Sequence, residues 1–127
     1  MTDKPVLQPS AKHPITITEN PARVVVSVSG RVVADSQRVL TLQEASYPPV
    51  QYIPIDDVDR SLLERTDTAT YCPFKGDASY YTVTVDGKQV VDALWVYESP
   101  HPAVAEIKDH VAFYPDRVDS IDEQPAA

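Results

Sequence analysis

Twelve prolines divide this chain of 127 residues into short segments, and only three glycines accompany them. Each proline fixes its own φ and lacks an N–H donor, so the chain should consist of stiff turns and short elements. Valine and tyrosine are abundant between the prolines, and β-branched and aromatic residues suit a pleated, half-buried surface. The sequence therefore predicts a mainly β fold of compact antiparallel sheets with one or two short helices.

Apolar residues alternate with polar ones in several short runs of the first half. Such alternation predicts strands with one buried face. A hairpin is predicted at Ser29-Gly30, because glycine accepts the positive φ of a tight turn. A carboxylate, Glu44, shares a strand face with Leu40 and Leu42. The predicted strands of this half cover residues 15–18, 23–28, 31–34, 39–44 and 50–53.

The second half is organised around Asp86-Gly87, a dipeptide favoured in two-residue hairpin turns. This turn joins predicted strands over residues 78–85 and 88–98, the second of which places Ala93, Trp95 and Tyr97 on one face. The other predicted elements are helical turns over residues 54–65 capped by Asp56 or Asp57, a strand over 68–72, a tight connection over 73–76, a helical stretch over 103–110 and a last core strand over 111–114.

The length suits a single domain with one core. Residues 1–12 are polar and contain proline, so a loose N-terminal arm is predicted there. Residues 13–118 are predicted to form the single β-rich domain. Residues 119–127 are acidic and are predicted to form a frayed C-terminal tail.

Charge and cysteine content restrict the partners and the compartment. Eleven Lys and Arg stand against nineteen Asp and Glu, for a formal net charge of −8, and no basic stripe is present, so binding to nucleic acid or to an anionic membrane is not expected. Cys72 is the single cysteine, the N-terminus lacks the pattern of a secretory signal, and the longest apolar run is far shorter than the roughly 20 residues of a membrane span. We expect a cytoplasmic protein of the bacterial type, without intrachain disulfides.

The usual metal and nucleotide motifs are missing from the sequence. His13, His101 and His110 lie far apart, and neither Cys-x-x-Cys nor His-Glu-x-x-His occurs. No glycine-rich run opens a helix, so the usual Walker and Rossmann phosphate loops are excluded. The sequence predicts no metal and no cofactor.

Cys72 and Lys75 are the candidate catalytic residues. If the turn between them folds back, the ammonium of Lys75 would favour the reactive thiolate of Cys72. Lys75 could instead hold a carboxylate or phosphate of a ligand. In the alternative interpretation, Cys72 is buried for packing alone, as free cysteines often are.

The aromatic residues indicate a small-molecule pocket. Tyrosine and tryptophan combine an apolar body with one polar group, which suits a pocket wall, although they are equally ordinary in a sheet core. Tyr80 and Tyr81 are adjacent, so one of them faces away from the core unless both faces of the sheet are covered. The candidate ligand-binding residues are Glu44, Tyr52, Tyr80, Trp95 and Tyr97.

Several motifs in a fixed order resemble one known family, from about Pro14 to Val118. They are Gly30-x-Val32-Val33-Ala34-Asp35-Ser36, Gln43-Glu44-Ala45-Ser46-Tyr47-Pro48-Pro49, Thr70-Tyr71-Cys72-Pro73-Phe74-Lys75-Gly76, Trp95-Val96-Tyr97-Glu98 and residues 111–118. Together they resemble domain of unknown function family 427, which is sometimes labelled nucleotidyltransferase-like. No residue pattern of this chain supports that label.

The resemblance implies a β-tent-like fold, similar to methionine sulfoxide reductase B and the cereblon ligand-binding domain. Many such relatives hold zinc with two Cys-x-x-Cys pairs, which this chain lacks, and some build an aromatic-walled pocket in one sheet. Three hypotheses follow for this chain. They are a small-molecule binding module, an enzyme that uses Cys72 activated by Lys75, and an interaction protein such as a homodimer.

Overall fold

The computed structural model describes residues 4–125, and strands dominate this part of the chain. Its strands are β1 (Ile15–Glu19), β2 (Arg23–Val28), β3 (Arg31–Ser36), β4 (Leu40–Glu44), β5 (Val50–Pro54), β6 (Leu63–Cys72), β7 (Gly76–Val85), β8 (Lys88–Val96), β9 (His110–Phe113) and β10 (Ser120–Gln124). Short 3₁₀ helices cover Ile55–Asp57, Arg60–Leu62 and Pro102–Ile107. The prediction of a mainly β fold of antiparallel sheets is confirmed.

The strands form two antiparallel sheets. The larger has seven strands in the order β1-β4-β5-β9-β8-β7-β6, and the smaller has the order β10-β2-β3. Most neighbouring strands are consecutive in the chain, and their lengths range from 4 residues in β9 to 10 in β6 and β7.

Both faces of the seven-stranded sheet are buried. On one face, Val26 of the smaller sheet and Leu94 of β8 belong to a first core that joins the two sheets. On the other face, Tyr52 and Ile107 belong to a second core, which the helix Pro102–Ile107 covers. Consecutive strand residues point to opposite faces, so Ile53 lies in the first core while Tyr52 lies in the second. Coverage of both faces explains how Tyr80 and Tyr81 can be adjacent in one strand.

Both predicted two-residue hairpins are present. Ser29 and Gly30 have φ values of 50° and 79° between β2 and β3, and Asp86 and Gly87 have values of 50° and 78° between β7 and β8. Two successive positive φ values give a turn whose twist matches that of the flanking strands. The Asp86-Gly87 turn thereby sets the start of the pairing that carries the aromatic residues.

A bulge interrupts the pairing of β7 with β8. The register shifts between Tyr81 and Val83, and Asp92 opposite has a φ of 51°. The carboxylate of Asp92 accepts hydrogen bonds from the hydroxyls of Thr66 and Thr68, both at 2.7 Å. The prediction that Ala93 shares a face with Trp95 is wrong, because Ala93 at this bulge packs in the first core.

The one or two helical turns predicted over residues 54–65 are present, as 3₁₀ turns. Residues 54–65 contain two single 3₁₀ turns, and the cap is Asp59, whose side chain accepts from the Ser61 amide at 3.2 Å. Asp57 is not the cap because its carboxylate binds the Ser36 hydroxyl and, at 2.9 Å, the Arg38 guanidinium. No helix within residues 4–125 has the length and apolar character needed to cross a bilayer.

The two ends of the described chain make backbone contacts that a loose arm and a frayed tail would not make. Ser120–Gln124 is a strand paired with β2, with Ile121 opposite Val26, so this part of the chain is not frayed as predicted. Ile121 packs against the first core while its acidic neighbours stay exposed. Near the other end, the Leu7 amide donates to the Pro73 carbonyl at 3.0 Å.

Candidate functional site

A cavity of about 250 Å³ opens on the face of the seven-stranded sheet that carries the second core. Five tyrosines, the tryptophan and a lysine–glutamate pair line it, together with a few aliphatic residues. The five residues predicted to bind a ligand all lie in this lining, and so does Lys75. The lining residues are Leu42, Glu44, Tyr47, Pro48, Val50, Tyr52, Lys75, Tyr80, Trp95, Tyr97 and Tyr114.

Three strands supply the aromatic wall. Tyr80 on β7 lies directly opposite Trp95 on β8, and Trp95 Nε1 donates a hydrogen bond to the Tyr52 hydroxyl on β5 at 3.3 Å. The rings of Tyr52 and Trp95 meet edge to face with centroids 6.4 Å apart. Tyr114, which follows β9, packs on Trp95 with centroids 4.5 Å apart. Each ring is thus held by another ring, which fixes the shape of the wall.

Three tyrosine hydroxyls of the cavity, those of Tyr52, Tyr97 and Tyr114, have a raised pKa. Burial is the main cause that raises the pKa of Tyr52 and of Tyr97 above the ordinary tyrosine value. Burial also raises the pKa of Tyr114 to about 12. Tyr97 is 7% exposed, and no hydrogen bond of its hydroxyl is present within residues 4–125; because no fully buried side-chain polar atom there lacks a partner, this hydroxyl keeps some contact with solvent. These phenols therefore face the cavity as neutral hydrogen-bonding groups.

Lys75 reaches the cavity from the turn between β6 and β7. Its amide donates to the Cys72 carbonyl at 3.1 Å, and its own carbonyl accepts from the His101 amide at 2.8 Å. The residue is 8% exposed, so its ammonium has lost most of its water and needs a partner of opposite charge. Glu44 is that partner, because Lys75 Nζ donates to Glu44 Oε1.

Glu44 is the last residue of β4, and its carboxylate contacts both Lys75 and His13. Oε1 accepts from Lys75, and Oε2 contacts His13 Nε2 at 2.8 Å. Burial acts to raise the pKa of Glu44, but the hydrogen bonds from Lys75 and His13 together outweigh it and lower that pKa. The cavity therefore contains an ionised carboxylate paired with an ammonium.

Cys72 lies beside this pair. Its Sγ is 3.7 Å from Lys75 Nζ, so the turn folds back and brings the two candidate catalytic residues into contact. The thiol is free, half-buried and packed against the second core, and Cys72 is not among the residues that line the cavity. The contact fits both the activated thiol and the packing interpretation, and activation of Cys72 stays a prediction.

The candidate residues did not include Tyr47 and Tyr114 of the lining, nor His13, which was considered as a zinc ligand. Its ring stacks on Phe74 with centroids 4.1 Å apart and planes 8° apart. The antiparallel pairing of Ile15 with Glu44 brings it to the carboxylate. Residues 15–18 and 39–44 were both predicted as strands, and pairing them would have found this contact.

A larger hollow of about 490 Å³ lies elsewhere, against Arg38, Arg60 and Glu98. Some of its charged groups already have partners: Arg38 binds Asp57 at 2.9 Å and Glu98 binds Arg65 at 2.8 Å. Exposed ion pairs of this kind contribute little energy and compete with a ligand for the same atoms. The smaller aromatic cavity is therefore the better candidate.

The glycine after Lys75 is expected to be irreplaceable. Gly76 has a φ of +115°, and a Cβ there would meet the Ser99 carbonyl oxygen at 3.4 Å. We expect Gly76→Ala to lower the free energy of unfolding by about 1–3 kcal/mol because the backbone is strained. Urea unfolding measures this, and Gly30→Ala is the control with the smaller expected loss, since its φ of +79° lies nearer the left-handed region that L residues adopt and a Cβ there meets nothing within 4 Å. An equal loss in the two variants would contradict the expectation.

Comparison with known proteins gives one family. A family model described as "Domain of unknown function (DUF427)" matches residues 16–124. No curated protein matches the chain. The matched residues include all of the cavity lining, but the description of the family names no activity.

Proposed function

The chain belongs to the family described as domain of unknown function (DUF427), and we propose that it works as a cytoplasmic small-molecule binding module. The observation that carries this proposal is the cavity itself, in which a wall of aromatic rings stands next to a buried Lys75–Glu44 pair. Ligand sites are commonly concave and apolar, with a few placed polar groups. This cavity has both properties.

The packing around the cavity supports the proposal. A sheet core normally closes over its aromatic rings, because interiors are packed as densely as organic crystals. Here a volume of about 250 Å³ remains between the rings. Tyr47 at its edge is 61% exposed, so one large aromatic surface is left open to solvent beside the opening. An aromatic ligand would cover it.

The size of the cavity limits the ligand. The volume of about 250 Å³ is below the roughly 300–1,000 Å³ that holds drug-sized molecules. We therefore propose a ligand of one ring or two small rings, rather than a nucleotide or a peptide.

Trp95 makes the proposal directly testable, because it is the single tryptophan of the chain and lies in the cavity wall. We expect a screen of small aromatic compounds to find at least one that changes Trp95 fluorescence saturably. The same compound should shift the amide NMR signals of residues around Glu44, Lys75 and Tyr97. Trp95 also borders a hollow of about 320 Å³ beside Phe113 and Ile121. Shifts confined to that hollow or to the one at Arg38 and Glu98, or no saturable change, would contradict the proposal.

A matched pair of variants tests whether the ligand binds in the cavity or on the opposite face of the sheet. Tyr97→Phe removes a hydroxyl that faces the cavity, and we expect it to weaken binding about three- to tenfold, the effect of one lost hydrogen bond. Tyr81→Phe is the control, because Tyr81 packs against the first core on the opposite face. Equal effects of the two variants would count against binding in the cavity.

A further inference from the structure

Several polar groups that line the cavity have hydrogen-bond donors that the protein does not use. Lys75 Nζ has three N–H groups, of which one binds Glu44 and one points to Cys72 Sγ. Within the described residues the third has no protein acceptor. The Tyr52 hydroxyl accepts from Trp95, so its own O–H remains available to donate. The Tyr97 hydroxyl can also donate.

The acceptor in the cavity is already engaged. Both oxygens of Glu44 are held, one by Lys75 and the other by His13 at 2.8 Å. A ligand that brought donors would have to share these oxygens with Lys75 and His13, through the second lone pair of each oxygen. A ligand that brings an acceptor oxygen meets free N–H and O–H groups instead. The hydrogen-bonding balance therefore favours a ligand that accepts.

The charge balance disfavours an ionic ligand. The side chains of Lys75 and Glu44 are 10% and 17% exposed, and their opposite charges are adjacent, so their fields largely offset each other inside the cavity. An ion that entered would lose its water and gain no net attraction in return, and burying a charge without compensation is expensive. Aromatic rings can attract a cation, but the ammonium of Lys75 would oppose it.

We infer that the cavity selects an uncharged planar compound with a carbonyl oxygen, which accepts hydrogen bonds from Lys75 Nζ and the Tyr97 hydroxyl while its ring packs on Trp95. This inference rests on the proposed binding function and names the class of its ligand. The ring contributes contact with the wall, and the carbonyl oxygen uses the donors that the protein leaves free. A cation of the same shape would bring no acceptor oxygen for these donors. An anion of the same shape would bring an uncompensated charge into the cavity.

Four probes of matched shape test this selection: benzamide, benzoate, benzylammonium and toluene. Titration of each against Trp95 fluorescence and amide NMR signals gives its affinity for the cavity. We expect benzamide to bind at least about tenfold more tightly than the other three, which corresponds to one or two hydrogen bonds made without a charge penalty. Tighter binding of benzoate or benzylammonium, or equal binding of toluene, would overturn the inference and leave the binding function standing.

Variants identify the donors. The double variant Lys75→Met with Glu44→Gln removes both charges together, and we expect it to weaken benzamide at least about fivefold while toluene is unchanged. Tyr97→Phe should act in the same direction. Unchanged benzamide affinity in both variants would overturn the inference. If none of the probes perturbs Trp95 or its neighbours, both the inference and the proposed function fail.

Discussion

Replacing Lys75 by methionine is expected to lower the free energy of unfolding by about 2–3 kcal/mol. Methionine keeps the length and apolar stem of the side chain but leaves the carboxylate of Glu44 without its ammonium partner. Removing one member of a buried pair typically costs about 3–5 kcal/mol. We expect a loss at or just below the lower limit of that range because Glu44 is 17% exposed and retains His13 at 2.8 Å. Urea unfolding followed by Trp95 fluorescence measures the change.

Two controls make this result specific. Lys4→Met removes an ammonium from another ion pair, with Asp77 at 2.6 Å, whose side chains are 53% and 69% exposed. Exposed pairs contribute about 0–1 kcal/mol, so this variant should stay close to the parent protein. Adding Glu44→Gln to Lys75→Met should restore at least half of the lost stability, since no unpaired charge remains. A loss at Lys75 no larger than that at Lys4 would show that the pair does not matter for folding.

The part of the aromatic wall formed by Tyr80 and Trp95 could be predicted from sequence because local rules determine it. Alternation along the strands separates Tyr80 from Tyr81, and the Asp86-Gly87 turn brings the strand of Trp95 back beside that of Tyr80. The contact of Lys75 with Cys72 is also local, since a single tight turn of the backbone creates it. These features needed no knowledge of distant pairing.

Features that depend on distant residues could not be predicted in the same way. The contact of His13 with Glu44 requires β1 to pair with β4, and no short-range pattern specifies that choice. The bulge that turns Ala93 into the first core depends on two threonine hydroxyls from β6 that bind Asp92. The helical composition of residues 54–65 gives only single turns, because Asp57 binds Ser36 and Arg38 and β6 already begins at Leu63.

The C-terminal strand gives the other large expected effect. Its sequence is acidic, which predicted a frayed tail, yet β10 pairs with β2 over five positions. A single apolar residue, Ile121, is enough to turn one face of the segment toward the first core, where Val26 is 0% exposed. The charged residues beside it lie on the exposed side, so net charge is a poor guide when one face of a strand decides its pairing.

Ending the chain after Asp119 should therefore lower the free energy of unfolding by at least about 3 kcal/mol, from the strand hydrogen bonds and the buried apolar area lost together. The cut keeps Asp119, whose carboxylate accepts from the Gly30 amide at 2.7 Å, so the neighbouring hairpin turn is undisturbed. Ending the chain after Gln124 is the matched control and should change the stability by less than about 0.5 kcal/mol. If both truncated chains unfold at the parent's urea concentration, β10 does not stabilise the fold, and the three-stranded sheet is held by β2 and β3 alone.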